Sequence, residues 1–124
     1  RIKKGLQKKL TLGNMKAKRD WGHAKDYVEA MWLMVQQKEP IDFVIGTGVE
    51  HSVEDFAKKA FAHVGLNYKD YIISDKKLFR PAEVDTLLAD SSKAKRILKW
   101  KPKISFDDMV ANMVEHDMEN TQEN

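Results

Sequence analysis

Two short tracts hold the residue types best suited to grip an anionic ligand. In the first, the turn Gly13-Asn14 is followed five residues later by Arg19-Asp20-Trp21, just ahead of a helical pattern that begins at Ala24. A guanidinium offers a planar fork that fits two phosphate oxygens at once, and a neighbouring ring gives such a ligand a flat edge. The plainer use of the same residues is an ion pair from Arg19 to Asp20 or Asp26, with Trp21 only packing. The second tract is Leu78-Phe79-Arg80-Pro81-Ala82-Glu83-Val84-Asp85. Pro81 fixes its own φ and biases Arg80 towards an extended backbone. Arg80 can then present its fork to a diphosphate, and the Glu83 carboxylate can accept hydrogen bonds from a ribose diol. Here the plainer use is an Arg80–Glu83 surface pair, worth at most about 1 kcal/mol.

Catalytic patterns are missing. Gly46-Thr47-Gly48 lacks the third glycine of a dinucleotide fingerprint and leads into a loop. No tyrosine stands four positions before a lysine, and no Gly-x-Ser-x-Gly elbow, Walker loop or His-Glu-x-x-His occurs. His23 and Asp26 have i, i+3 spacing, but two ligands without a third and fourth make no metal site. His51, His63 and His116 read as ordinary surface or helix-end residues. The chain is therefore expected to hold no catalytic group and no metal.

Composition narrows the setting. The 124 residues suit one domain able to bury a core, with 22 Lys+Arg against 19 Asp+Glu and no cysteine. The net charge of +3 gathers in Arg1, Lys3, Lys4, Lys8 and Lys9, without the aromatic-flanked basic stripe of a nucleic-acid binder. The absence of cysteine removes disulfides and thiolate metal sites and fits a reducing compartment. No apolar run approaches the length of a membrane span. A soluble, cytoplasmic protein without nucleic-acid or membrane partners is the expectation.

The elements that must position the two tracts follow from periodicity. Arg1–Lys9 reads as the last turns of a helix whose start is missing. Leu10-Thr11-Leu12 reads as a short strand ended by Gly13-Asn14. Ala24–Gln37 is helical, with Ala24, Tyr27, Val28, Met31, Trp32, Met34 and Val35 as its apolar residues. Phe43-Val44-Ile45 is expected as a buried strand. Ser52 opens a helix through an approximate capping box with Asp55, and Gly65 suits its C′ position. Tyr71-Ile72-Ile73 and Val84–Leu88 are expected strands. A helix capped by Asp90 or Ser91 runs through Ala94, Ile97 and Leu98, and Ser105 caps the last one. Three or four such short strands make no independent wound sheet, so the lobe is expected to lean on a larger domain.

Several of these segments, taken in order, resemble the GDP-mannose 4,6-dehydratase family of extended short-chain dehydrogenases/reductases. They are Lys18-Arg19-Asp20-Trp21-Gly22-His23-Ala24-Lys25-Asp26-Tyr27-Val28, Asp42-Phe43-Val44-Ile45 with Gly46-Thr47-Gly48, His51-Ser52-Val53, Arg80-Pro81-Ala82-Glu83-Val84, and Leu98-Lys99-Trp100-Lys101-Pro102. The connection from Gly65 to Arg80 is shorter than is common in that family. The resemblance implies an α/β fold, namely the small C-terminal substrate-binding lobe of an NAD(P)-binding Rossmann-fold enzyme whose Rossmann core is mostly missing. Residues 1–119 would form that nucleotide-sugar-binding portion, and 120–124 a frayed tail. Arg19 and Arg80 would bind the diphosphate of GDP-mannose and Glu83 its ribose, with the Gly13-Asn14 turn near the guanine. NADP and the catalytic Thr, Glu, Tyr and Lys would belong to an N-terminal domain, so this chain alone would not turn over substrate. The implied reaction takes GDP-mannose to GDP-4-keto-6-deoxymannose by internal redox and loss of water, a first step towards GDP-fucose, in a homo-oligomer. Another nucleotide-sugar dehydratase, epimerase or reductase, or a non-catalytic nucleotide-sugar-binding module, is the alternative.

Overall fold

The computed structural model describes residues 1–84 and 86–121. Its helices begin where side chains can satisfy free backbone donors. His23 Nδ1 accepts the Lys25 N–H (3.1 Å) at the start of α1, Ala24–Val35. At the start of α2, Val53–His63, the Ser52 hydroxyl accepts the Asp55 N–H and the Asp55 carboxylate accepts the Ser52 N–H, both at 3.0 Å. This is a complete capping box. Ser105 likewise accepts the Asp108 N–H (3.1 Å) at the start of α4, Phe106–Asn120. The short α3, Ser92–Ile97, differs: Asp90 Oδ1 accepts the Ser92 N–H (2.9 Å), and the Ser91 hydroxyl is engaged elsewhere.

Gly65 ends α2 at φ +72°, with its own N–H on Ala62 O and the Leu66 N–H on Phe61 O, both 2.9 Å. Residues 1–6 repeat that pattern around Gly5 at φ +74°: Gly5 N–H donates to Ile2 O and Leu6 N–H to Arg1 O. These residues form a turn with the hydrogen bonds of a helix terminator, and the helix expected over Arg1–Lys9 is not formed among them.

Two small sheets connect the helices. Strand β1, Leu10–Leu12, pairs in parallel with β4, Ile72–Ser74, in the register Leu10 to Ile72. Strand β2, Lys18–Arg19, runs antiparallel to β3, His51–Ser52, with Arg19 opposite His51. The strand expected at 71–73 therefore sits one residue later. Phe43-Val44-Ile45 has no partner strand among the described residues, so the expected strand does not form. Extended backbone becomes a strand only when a neighbour takes its hydrogen bonds. Val84 and residues 86–88 belong to no strand either, and Asp85 lies outside the described residues. Of the tail expected to fray, Asn120 closes α4, the Thr121 N–H donates to Asp117 O, and 122–124 lie outside the described residues.

The main core gathers Ala30, Ala94, Leu98 and Trp100, with Tyr27, Leu33, Met34, Phe43 and Ile45 against it. Asp26, 3% exposed, is buried beside it. Its carbonyl accepts the Trp100 indole N–H (2.9 Å), and its Oδ2 accepts the N–H groups of Lys103 and Ile104 (3.0 Å each). A second cluster lies between α2 and α4, where Trp21 meets Phe56 edge-on (5.4 Å) and stacks with Phe106 (6.1 Å).

On α1 the structure corrects the expected apolar face. Small Ala30 with Tyr27, Leu33 and Met34 turns to the core, while Val28, Met31, Trp32 and Val35 form an exposed stripe, 61–76% accessible. Among the described residues no helix is long and apolar enough to cross a membrane.

Candidate functional site

The segment from Leu78 to Val84 is a strap fixed at both ends by residues of the first tract. At its start, the Gly13 backbone presses against Leu78. A Cβ at Gly13 would lie 2.7 Å from Leu78 O, so only glycine allows this approach. The Ser74 hydroxyl donates to Gly13 O (2.9 Å) and the Asp75 N–H to Leu12 O (2.9 Å), securing the same corner. Asn14 Oδ1 is turned inward to accept the Lys16 N–H (3.0 Å).

At the other end of the strap stands Arg19. Its Nη1 donates to Lys18 O (2.6 Å) and Val84 O (2.8 Å), and its Nη2 to Glu83 Oε1 (3.1 Å). Both partners are largely sheltered, their side chains 23% and 18% accessible. The structure thus replaces both pairings weighed from sequence: Arg19 engages neither Asp20 nor Asp26, and Glu83 is held by Arg19 rather than by Arg80. The reason is geometric. β2 carries Arg19 to the end of the strap, whereas Arg80 lies three residues before Glu83 with the turn at Pro81-Ala82 between them. Arg80 is exposed and has no ion-pair partner among the described residues.

Four of the five expected site residues therefore lie at the two ends of the strap. Gly13 and Asn14 lie at the head of the strap, Arg19 and Glu83 at its foot, and Arg80 stands on the span between them.

The residue that sequence reasoning missed is Asp20. Its Oδ1 accepts the Thr47 N–H (2.9 Å) and the Thr47 hydroxyl (2.5 Å), and its Oδ2 accepts the N–H groups of Gly48 (2.9 Å) and Ala89 (3.3 Å). The Asp20 N–H in turn donates to Leu87 O (3.0 Å). Burial pushes the carboxyl pKa up, but the Thr47 hydroxyl and the three amides outweigh it and hold it below the usual carboxylate range. A visible signal existed: a carboxylate beside the arginine and a Gly-Thr-Gly turn, whose consecutive amides need an acceptor.

The same contacts decide what Gly46-Thr47-Gly48 can do. Its amides point at Asp20, and Gly46 is buried against Ala89 with its own N–H on the Ser91 hydroxyl (3.0 Å). This turn is no cradle for a dinucleotide pyrophosphate, and a nicotinamide cofactor finds no fitting site there. His23 and Asp26 do not act together, since each carries its own backbone donors. Among the described residues no group of three His, Cys, Asp or Glu gathers around a common point. His51 is half-buried directly ahead of the α2 cap, its ring stacked on Phe106 at 3.7 Å and 6°. His63 ends α2 and meets Glu115 (3.2 Å).

The fold is one found in solved extended short-chain dehydrogenases/reductases. The chain superposes on UDP-glucose 4-epimerase from Bifidobacterium longum, solved in complex with NAD+ and UDP, with a TM-score of 0.81 at 22% identity. That match covers 96% of this chain and 37% of the epimerase. RMD from Pseudomonas aeruginosa, complexed with NADPH, gives a TM-score of 0.82 at 20% identity over 93% of this chain and 38% of its own. Within that class, the family model described as GDP-mannose 4,6 dehydratase matches residues 1–113, and the chain belongs to this family. GDP-mannose 4,6 dehydratase 2 of Arabidopsis thaliana is 56% identical over 119 residues, 96% of this chain and 32% of that protein. The Homo sapiens GDP-mannose 4,6 dehydratase is 49% identical over 127 residues, 89% of this chain and 34% of that protein. The chain thus spans about a third of the length of these curated relatives.

Proposed function

We propose that this chain is the nucleotide-sugar-holding portion of a GDP-mannose 4,6-dehydratase. The observation that carries the reading is the strap: Gly13 and Arg19 pin its two ends and leave Arg80 exposed between them. Arg80 and the remaining N–H groups of Arg19 would meet the diphosphate, Glu83 the ribose, and the Gly13-Asn14 corner would lie towards the guanine. Family membership supports GDP-mannose as the substrate over the UDP-sugars of the more distant structural neighbours.

The overall conversion would be GDP-mannose to GDP-4-keto-6-deoxymannose. The residues of this chain contribute orientation, which lowers a barrier by holding reacting atoms in a near-attack geometry. In this reading the groups that move protons at the sugar, and the cofactor NADP, would be held by another part of the enzyme. That part and the homo-oligomeric, cytoplasmic setting belong to the same proposal.

The test is turnover of GDP-mannose with added NADP. The full-length enzyme should form the 4-keto-6-deoxy product, and the purified 124-residue chain should form none above a no-protein control. Turnover by the chain alone, or a full-length enzyme that ignores GDP-mannose, would overturn the proposal.

A further inference from the structure

Resting on that nucleotide-site reading, we infer that Glu83 is a positioning residue for Arg19 as well as a ligand group, one carboxylate oxygen serving each role. Three of the five Arg19 N–H groups are committed to protein acceptors: both on Nη1, to Lys18 O and Val84 O, and one on Nη2, to Glu83 Oε1. The Nε–H and the second Nη2–H, on neighbouring nitrogens, have no acceptor among the described residues. Two such donors suffice for one bidentate phosphate contact. Glu83 is divided in the same way. Oε1 takes the guanidinium, and Oε2 accepts no hydrogen bond among the described residues. A diol can therefore dock on Oε2 without breaking the pair.

This arrangement separates holding from recognising. Arg19 alone, on a two-residue strand, would sample many rotamers and lose entropy on meeting a phosphate. With Glu83 and two carbonyls fixing its plane, that cost is met during folding. The two ends of a nucleotide diphosphate then report to each other through one carboxylate. A purely repulsive role for Glu83 leads to the opposite expectation, because removing a negative charge beside the site should then favour any anion.

Inorganic pyrophosphate distinguishes these roles, since it has phosphates and no ribose. In the full-length enzyme, pyrophosphate and GDP are titrated by calorimetry into wild type, Arg19→Ala, Glu83→Ala, Glu83→Gln and the double alanine variant, with thermal unfolding as the check on folding. Glu83→Ala should weaken pyrophosphate by at least about threefold, and should have no such effect when Arg19 is already alanine. Glu83→Gln keeps a carbonyl acceptor for Nη2, so it should retain pyrophosphate affinity while losing GDP affinity at the ribose end. If Arg19→Ala weakens both ligands but Glu83→Ala leaves pyrophosphate unchanged or tighter, the positioning role is wrong and the nucleotide site stands. If Arg19→Ala changes neither ligand, the nucleotide site itself is wrong, and the inference falls with it.

Discussion

Asp20 and Thr47, twenty-seven positions apart, are joined at one carboxylate oxygen that receives both the amide and the hydroxyl of Thr47, at 2.9 and 2.5 Å. With Gly48 and Ala89 on the other oxygen, this residue ties together β2, the Gly-Thr-Gly turn and the segment that follows the strap. Arg19 is its chain neighbour, so the clasp also fixes the direction in which the guanidinium leaves the backbone.

Acid should open this clasp. Asp20 has a folded-state pKa below its usual value, so its contribution is complete above the unfolded pKa of about 4 and is lost as pH falls through the folded value. Chemical denaturation from pH 6 down to pH 2 should show the loss in wild type. Asp20→Asn should cost about 1–3 kcal/mol at neutral pH, because the asparagine amide turns a donor towards donors. It should also flatten the acid dependence. An unchanged acid profile in Asp20→Asn would remove the clasp from any role in stability.

Arg80 should matter for nucleotide and not for fold. Loss of a bidentate phosphate contact is expected to weaken GDP at least about tenfold in Arg80→Ala of the full-length enzyme. Arg80→Lys should recover only part of this, since lysine supplies charge without the planar fork. Because Arg80 is exposed, the melting temperature of each variant should stay near wild type. Calorimetry with GDP checks the first expectation and thermal unfolding the second. Equal GDP affinities for the three proteins would return Arg80 to the solvent.

Asp26 and Trp100 should contribute separately to stability. Asp26→Ala strands the Lys103 and Ile104 amides and is expected to cost about 1–3 kcal/mol. Trp100→Ala empties the centre of the core and should cost about 3–5 kcal/mol. The Trp100 indole N–H bonds the backbone carbonyl of residue 26, which alanine retains, so the two losses should be close to additive. A strongly non-additive double variant in urea denaturation would contradict this.

The open stripe on α1 predicts how the 124-residue chain behaves by itself. Val28, Met31, Trp32 and Val35 recur at i, i+3, i+4 and i+7, and contiguous apolar surface of this kind marks a contact site. The isolated chain should bind a hydrophobic dye and self-associate, and Met31→Glu with Val35→Lys should reduce both. A monodisperse, dye-silent wild-type chain in light scattering and fluorescence would count against this.

Where an element is specified locally, the sequence already shows it. The Ser52–Asp55 box, the Ser105 cap and the Gly65 terminator need only residues a turn apart, and all three formed as read. Pairings that depend on distant chain were not legible. Phe43-Val44-Ile45 has strand composition without a strand beside it. The face of α1 is worse than illegible. The large apolar residues that dominate its pattern lie outside, and the position that mattered most was Ala30, fully buried and small enough to let Trp100 close in.

The candidate site shows the same division. Arg19, Arg80 and Glu83 could be picked out because their side chains suit an anionic ligand and a diol. Who holds whom was not visible, since Arg19 and Glu83 are sixty-four positions apart and meet only because β2 and the strap cross.

The three tryptophans occupy three dissimilar surroundings. Trp100 is 2% exposed with its indole N–H bonded to a carbonyl, Trp21 is layered on Phe106, and Trp32 stands in water at 61% exposure. Trp32 should therefore emit at the red end of the intrinsic spectrum and be reached first by acrylamide, while Trp100 stays blue and protected. Any polypeptide that settles on α1 must dry this one indole, shifting its light towards the blue and slowing its quenching. The helix thus carries an optical reporter of its own coverage, readable without attaching a dye.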